Sequence, residues 1–347
     1  MENMKKDLKS MTLKELEELI VSLGEKKYRA QQIYPLIAKG LEDIEDVSNI
    51  PKSLKDALKE KTFISKAKIH KKLESKIDGT KKYLIELDDG NIIEAVFMQY
   101  EHGNSICIST QVGCKRGCTF CASTIGGLVR NLTAGEMLGQ IIEVQKDAKE
   151  RISNIVLMGA GEPFDNMDEV TKFLELVHEE KGLSIGYRHI TISTSGVVEG
   201  IYALAELDIP VNLAISLHQT DQEKRKDIMP VAAIYPLSEL LEAAKHYSQK
   251  TKRRVTYEYA LIEGVNNDKA TAEKLAKLLK NSLSHVNLIP VNTTEGNTFR
   301  RPSRNSVYEF LNILKKNGIN ATIRRELGTD ISGACGQLKR SFLNEEK

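Results

Sequence analysis

Three cysteines crowded into eight residues, Cys114-x-x-x-Cys118-x-x-Cys121, are the feature of this 347-residue chain best suited to chemistry. Three thiolates can hold three irons of a [4Fe–4S] cluster and leave the fourth iron open as a ligand site. Gly113 and Gly117 let the backbone fold tightly around such a metal. The competing use is a zinc knot with Cys107 as fourth ligand. Structural zinc favours four closed ligands, often in Cys-x-x-Cys pairs, and Cys118 with Cys121 is the one such pair here.

Other reactive residue types fall at matching places. Gly159-Ala160-Gly161-Glu162-Pro163 follows an apolar run, so its backbone can approach a small ligand closely and Glu162 can receive an ammonium group. A plain strand-to-helix turn would use the same residues. Ser193, Ser216, His218 and Asn292 are small polar groups at the ends of separate apolar runs, an arrangement that orients a ligand in a mostly apolar pocket. Each taken singly also suits a cap or a turn. Open iron, glycine loop and polar strand ends together fit radical S-adenosylmethionine (SAM) chemistry, in which SAM chelates the open iron and an electron breaks its C–S bond to give a deoxyadenosyl radical. Cys335 lies in the polar run Gly333-Ala334-Cys335-Gly336-Gln337, whereas Cys107 lies in an apolar one, where a free cysteine is usually a small buried hydrophobe. Glu94 interrupts the apolar run Ile92–Phe97, as a general base or as one residue of a solvated strand face.

The elements that must position these groups read as an α/β chain in three parts. Residues 1–64 form a helical module, opened by the capping box Thr12-Leu13-Lys14-Glu15 and with a third helix starting near Pro51. Residues 65–100 form a β-meander with turns at Asp78-Gly79 and Asp89-Gly90. From 101 to 347, β-rich runs alternate with helical ones: Ile106–Thr110, Ile155–Met158, His189–Ser193, Val211–Leu217, Val255–Ile262, Val286–Val291 and Ala321–Arg325. Further capping boxes are expected at Thr133-x-x-Glu136, Asn166-x-x-Glu169 and Thr220-x-x-Glu223. Such alternation predicts parallel pairing and a partial or complete (β/α) barrel, whose functional residues gather after the carboxyl ends of its strands.

Composition sets the limits. With 41% hydrophobic and 28% charged residues, the chain has the profile of an ordinary globular protein. A net charge of +2 gives no bulk electrostatic argument for a nucleic-acid partner, and without Trp no stacking platform is visible. Local basic clusters, Lys252-Arg253-Arg254, Arg300-Arg301 with Arg304, and Arg324-Arg325, are candidates for phosphate contact, though charge clusters are more often merely solvated. The charged stretch from Met1 to Glu18 has no signal-like or spanning character, so a cytoplasmic protein without a membrane partner is expected.

Ser109-x-Gln111-x-Gly113-Cys114-x-x-x-Cys118-x-x-Cys121, Gly161-Glu162-Pro163, Ser193-Thr194-Ser195-Gly196-Val197, Ser216-Leu217-His218 and Ala334-Cys335-Gly336-Gln337-Leu338 together resemble the RlmN family, radical SAM dual-specificity RNA methyltransferases acting on carbon 2 of adenosine. The resemblance runs from the helical module to Leu338. It implies two substrates, an adenosine in the peptidyl-transferase region of 23S rRNA and the adenosine next to the anticodon of certain tRNAs. It also implies Cys114, Cys118 and Cys121 as cluster ligands, and SAM contacts from Gly161, Glu162, Ser193, Ser216, Leu217, His218 and Asn292. By the mechanism the resemblance implies, two SAM molecules would serve each turnover: Cys335 would take a methyl group from one, a radical from the other would remove hydrogen from that S-methyl group, and the methylene would add to carbon 2. By the same resemblance, Cys107 would then form a disulfide with Cys335 as product leaves, and Glu94 would accept the carbon 2 proton. An electron donor such as flavodoxin or ferredoxin is implied. The alternatives are a Cfr-like carbon 8 methyltransferase and a noncatalytic, zinc-stabilised RNA-binding protein.

Overall fold

A computed structural model describes residues 5–292, 298–338 and 341–342. Its amino-terminal module holds helices α1 (Leu13–Ser22), α2 (Tyr28–Ala38) and α3 (Lys52–Lys61). At α1 the expected capping box is complete: Thr12 Oγ1 accepts from the Glu15 N–H at 3.2 Å, and Glu15 accepts from the Thr12 N–H at 2.7 Å. The helices bury Leu16, Ile20, Ile33, Leu54 and Leu58 in a cluster of their own. That module is fastened to the rest of the chain, because Ser10 Oγ accepts from the Gly135 N–H at 2.9 Å and Lys172 pairs with Glu15 at 2.9 Å.

The remainder is built on an 11-stranded sheet, ten strands of which lie side by side in chain order, while the last, Ser341–Phe342, returns to pair antiparallel with Asn91 and Ile92. Strands β1 (Ala67–Glu74), β2 (Lys81–Leu87) and β3 (Asn91–Met98) form the antiparallel meander. Its last strand pairs antiparallel with β4 (Asn104–Cys107), Val96 opposite Cys107, so the meander is continuous with the larger sheet. From β4 onward, β5 (Ile152–Leu157), β6 (Ile190–Thr194), β7 (Asn212–Ser216), β8 (Val255–Leu261), β9 (Ser284–Pro290) and β10 (Ala321–Ile323) all pair in parallel. Each crossover carries helix: α4 (Ala134–Ala148), α5 (Met167–His178), α6 (Val198–Glu206), α7 (Gln222–Ile228) with α8 (Leu237–Thr251), α9 (Lys269–Leu278) and α10 (Arg304–Lys316). Fully buried Ile106, Ile155, Ile192, Leu213, Val286 and Leu288 belong to the core these layers share. The barrel is partial for a topological reason. The edge of β4 that would meet β10 is already bonded to β3.

Three local expectations are corrected. The first parallel strand ends at Cys107 rather than Thr110, and Gln111–Gly113 turns aside to pair antiparallel with Leu128–Asn131, framing the cysteines in a hairpin. Asn166 caps nothing with its side chain; its Nδ2 donates to the Thr110 and Leu132 carbonyls at 3.0 and 2.8 Å. The cap of α7 is Asp221, not Thr220, because Asp221 accepts from the Glu223 and Lys224 N–H groups.

Candidate active site

The carboxyl ends of the parallel strands and the cysteine loop border a cavity of about 1060 Å³ that is open to solvent. Cys114, Cys118 and Cys121 form part of its wall. Their loop depends on Gly113, which sits at φ +78° and where an added Cβ would lie 2.0 Å from the Gly127 carbonyl oxygen. Burial pushes the Cys114 thiol up to about 11 and the Cys118 thiol higher still. Bare thiolates are therefore disfavoured there, and a multivalent cation reverses that balance.

Six of the seven residues expected around SAM meet at this cavity. Gly161, Glu162, Ser193, Ser216, His218 and Asn292 all line it. Leu217 does not: it is fully buried, and its backbone bonds the neighbouring strand through the Glu258 carbonyl at 3.0 Å. Gly161 has φ +113°, and a Cβ there would come within 2.7 Å of Thr110 Oγ1. Glu162 is buried, and burial raises its carboxyl pKa despite good donors. Its Oε2 accepts from the Ser195 N–H at 2.6 Å and hydroxyl at 2.7 Å, and Oε1 from the Phe164 N–H at 3.1 Å. It thus ties the loops after β5 and β6 together while bordering the cavity. His218 Nδ1 accepts from the Ala260 N–H at 2.9 Å, and burial lowers its pKa to about 3, so it is neutral with its proton on Nε2.

A second cavity, of about 570 Å³, adjoins the first. Cys107 and Cys335 both line it; Cys335, Asn292 and Arg324 line both cavities. The Cys335 loop is stitched to the cysteine loop: Gly336 O accepts from the Ala122 N–H at 2.8 Å, Leu338 O from Ser123 Oγ at 2.7 Å, and Cys335 O from Asn292 Nδ2 at 3.2 Å. Burial pushes the Cys107 thiol up to about 12. It also raises that of Cys335, which is exposed by surface area yet recessed in the cavity wall, with the Arg324 guanidinium opposing. Glu94 lines neither cavity. It shares strand parity with Val96 and Met98, which do line the second, and it is buried in an ion pair with Lys82 at 2.8 Å. Lys82 Nζ also donates to the Ser332 carbonyl, at 3.2 Å.

Sequence reasoning missed several members. Glu258 lines the first cavity, is bonded by Asn287 Nδ2 at 2.9 Å and faces Arg324 at 3.8 Å. Buried Asn266 donates to the His218 and Ala260 carbonyls, both at 2.7 Å, and accepts from the Ile262 N–H. Arg225 is buried among the cavity loops. Nothing in their spacing marks these residues, since their partners come from distant strands. Of the basic clusters, Arg324 belongs to the cavity walls rather than to an outer surface. Arg301 pairs with Glu326, and Arg304 lies over the Tyr308 ring. Lys252-Arg253-Arg254 precedes β8, at the end of the sheet opposite the cavity.

The donor set suits an iron–sulfur cube. Cys107 stands with Cys335 rather than with the other three, so the zinc alternative lacks its fourth thiol at that loop. Among the described residues no group of three or more His, Cys, Asp or Glu side chains could hold a single metal ion. A four-iron cube takes its thiolates at separate corners, farther apart than the ligands of one ion.

Comparison with known proteins agrees with this geometry. Residues 108–279 match the model of the radical SAM superfamily, and residues 6–64 that of the ribosomal RNA large subunit methyltransferase N-terminal domain. A relative from Alkaliphilus oremlandii, named "Probable dual-specificity RNA methyltransferase RlmN", is 55% identical over 97% of this chain and 98% of its own. One of the same name from Clostridioides difficile is 51% identical over 99% of this chain and 100% of its own. The crystal structure of a radical SAM methyltransferase from Sphaerobacter thermophilus superposes with a TM-score of 0.91 at 42% identity, covering 96% of this chain and 99% of that one.

Proposed function

The chain belongs to the RlmN family of radical SAM, dual-specificity RNA methyltransferases, and from that premise we propose that it methylates carbon 2 of adenosine, in the peptidyl-transferase region of 23S rRNA and next to the anticodon in tRNA. The observation that carries this reading is the placement of Cys335 on the wall shared by two adjoining cavities, with Cys107 in the second.

Carbon 2 of adenine is electron-poor and its C–H bond is not acidic, so direct polar attack on a SAM methyl group fails and the carbon must arrive by another route. Cys114, Cys118 and Cys121 would hold the [4Fe–4S] cluster, and Gly161, Glu162, Ser193, Ser216, Leu217, His218 and Asn292 would seat SAM through side chain or backbone. The bound cluster supplies the electron that cleaves SAM to a carbon radical. Two SAM molecules serve each turnover, one as methyl donor to the Cys335 sulfur and one for that cleavage. Cys335 then carries the one-carbon unit to the base. Glu94 accepts the carbon 2 proton. The Cys107 sulfur attacks the Cys335 sulfur, an S–S bond forms as the bond from sulfur to the RNA-borne carbon breaks, and that carbon takes a proton to become methyl. Two electrons from a reductant restore both thiols.

Residues 1–64 are read as an accessory module for RNA, followed by the meander of 65–100 and the barrel of 101–347 with its Cys335 loop. A flavodoxin or ferredoxin is the class of electron donor required, and RNA substrates of this kind place the reaction in the cytoplasm. No helix of the described residues is long and apolar enough to cross a membrane.

Anaerobically reconstituted protein, given reductant, methyl-labelled SAM, unmodified rRNA fragments and tRNA, should yield 2-methyladenosine together with deoxyadenosine. A product methylated at carbon 8 would overturn the carbon 2 assignment and favour a Cfr-like reaction. An intact cluster with neither SAM cleavage nor methylated base would overturn the reaction altogether.

A further inference from the structure

Without Trp the sequence offers no obvious aromatic platform, yet the fold builds one at the turn of residues 100–103, which joins β3 to β4. The Gly103 N–H donates to the Tyr100 carbonyl at 3.1 Å, and Gly103 takes φ +117°, a value that favours glycine. One carboxylate pins both flanks, since Glu150 accepts from Gln99 Nε2 at 2.9 Å and from Asn104 Nδ2 at 2.7 Å. The turn so fixed folds His102 back on Tyr100, and the two rings stack with centroids 5.1 Å apart and planes 22° apart. Tyr100 is half-buried in the wall of the second cavity, whereas His102 is exposed. The aromatic surface therefore runs from the cavity lined by Cys107 and Cys335 out to solvent.

Arg325 stands on the same wall, just past the carboxyl end of β10. It is exposed, and no carboxylate pairs with it among the described residues. Glu326, the acidic residue of that wall, is already paired with Arg301. An aromatic face beside an uncompensated cation matches the two parts that every unpaired nucleotide shares, a base plane and a phosphate. The space between Cys107 and Cys335 is needed by the base being methylated, so the rim meets the nucleotide next to it.

We infer that the Tyr100–His102 pair and Arg325 form a seat for the nucleotide adjoining the target adenosine: its base stacks on the aromatic pair and its phosphate rests on Arg325. Stacking and phosphate contact are tolerant of sequence, so the seat accepts any neighbouring base. Such tolerance suits one enzyme that acts on two RNAs. The inference rests on the adenosine reading above and adds how the strand is held at the cavity rim.

The test measures anaerobic binding of reconstituted full-length protein to an rRNA fragment and to an anticodon stem-loop, each intact or with an abasic residue before, at or after the target adenosine. Tyr100→Leu should weaken binding of both intact RNAs roughly 5- to 100-fold, the span of one lost base–aromatic stack, while Tyr100→Phe stays near wild type. An abasic residue at one neighbouring position should weaken wild-type binding comparably, and Tyr100→Leu should then add little further loss. Arg325→Gln, at an exposed position, should reduce the slope of log affinity against log salt by about 0.7. Additive losses at both neighbouring positions, coupling of Tyr100 to the target base instead, coupling in one RNA only, or an unchanged salt slope would overturn the inference. Failure of wild-type protein to bind either RNA is a different result, because it would overturn the RNA reading on which the seat depends.

Discussion

Burial fixes how readily the two spare thiols react. The thiolate is the nucleophile, and a Cys107 pKa near 12 leaves it scarce at neutral pH. Its population grows as pH rises toward that value, so release of product from Cys335 should accelerate about tenfold per unit between pH 7 and pH 9. Single-turnover decay of the RNA adduct measures this, and a pH-independent decay would deny Cys107 the releasing role. Replacing Cys107 with Ala should leave RNA attached to Cys335 on denaturing gels, whereas Cys335→Ala should abolish methyl transfer to both protein and RNA. At the other end of the reaction, Lys82→Met strips a buried carboxylate of its cation and should cost about 3–5 kcal/mol in denaturant unfolding. Glu94→Gln should fold and bind cluster but lose roughly 10²–10⁴ in methylation rate, the usual worth of a general base. Residue types alone made the cysteines legible, because their spacing is the signal. Arg225 and Glu258 were not, since a basic residue in a charged helix and an acidic residue in a strand acquire meaning only from what the fold buries beside them.

Among the elements, short-range patterns carried the reading. The boxes at Thr12 and Thr133 appear as expected, since cap and partner lie within four residues. Those at Asn166 and Thr220 do not, since Asn166 serves the cysteine hairpin and Asp221 competes successfully for the helix end. The hairpin of Gln111–Gly113 with Leu128–Asn131 escaped notice because its two strands are very short and flank a loop dominated by metal-type residues. Its dependence on Gly113 gives an element-scale prediction. Gly113→Ala forces a Cβ against the Gly127 carbonyl and should lower iron content per chain severely under anaerobic reconstitution, while circular dichroism stays near wild type. Iron content equal to wild type would show that the hairpin does not shape the cluster loop.

Over the whole molecule, the amino-terminal module is docked on the barrel by close contact rather than hung from a linker. At Gly135, the start of α4, an added Cβ would lie 2.4 Å from Asp7 Oδ2 and 2.6 Å from Ser10 Oγ. Gly135→Ala should therefore cost about 1–3 kcal/mol by overpacking and weaken RNA binding in filter assays, with the cluster spectrum unchanged. RNA affinity equal to wild type would mean that the docked position of the module is immaterial to substrate capture. The module and the alternating architecture were legible from periodicity, whereas the incomplete closure of the barrel was not, because it depends on which strand reaches the edge of β4 first. The strand order matters in one further respect. Because each strand of the main path is laid beside its predecessor, the sheet can grow as the chain emerges from the ribosome, amino terminus first, without waiting for distant partners. The Cys335 loop closes over a cysteine loop synthesised some two hundred residues before it. A nascent chain thus presents the three-cysteine loop well before the thiol proposed to receive the methyl group, which leaves an interval during synthesis in which that loop is open to metal.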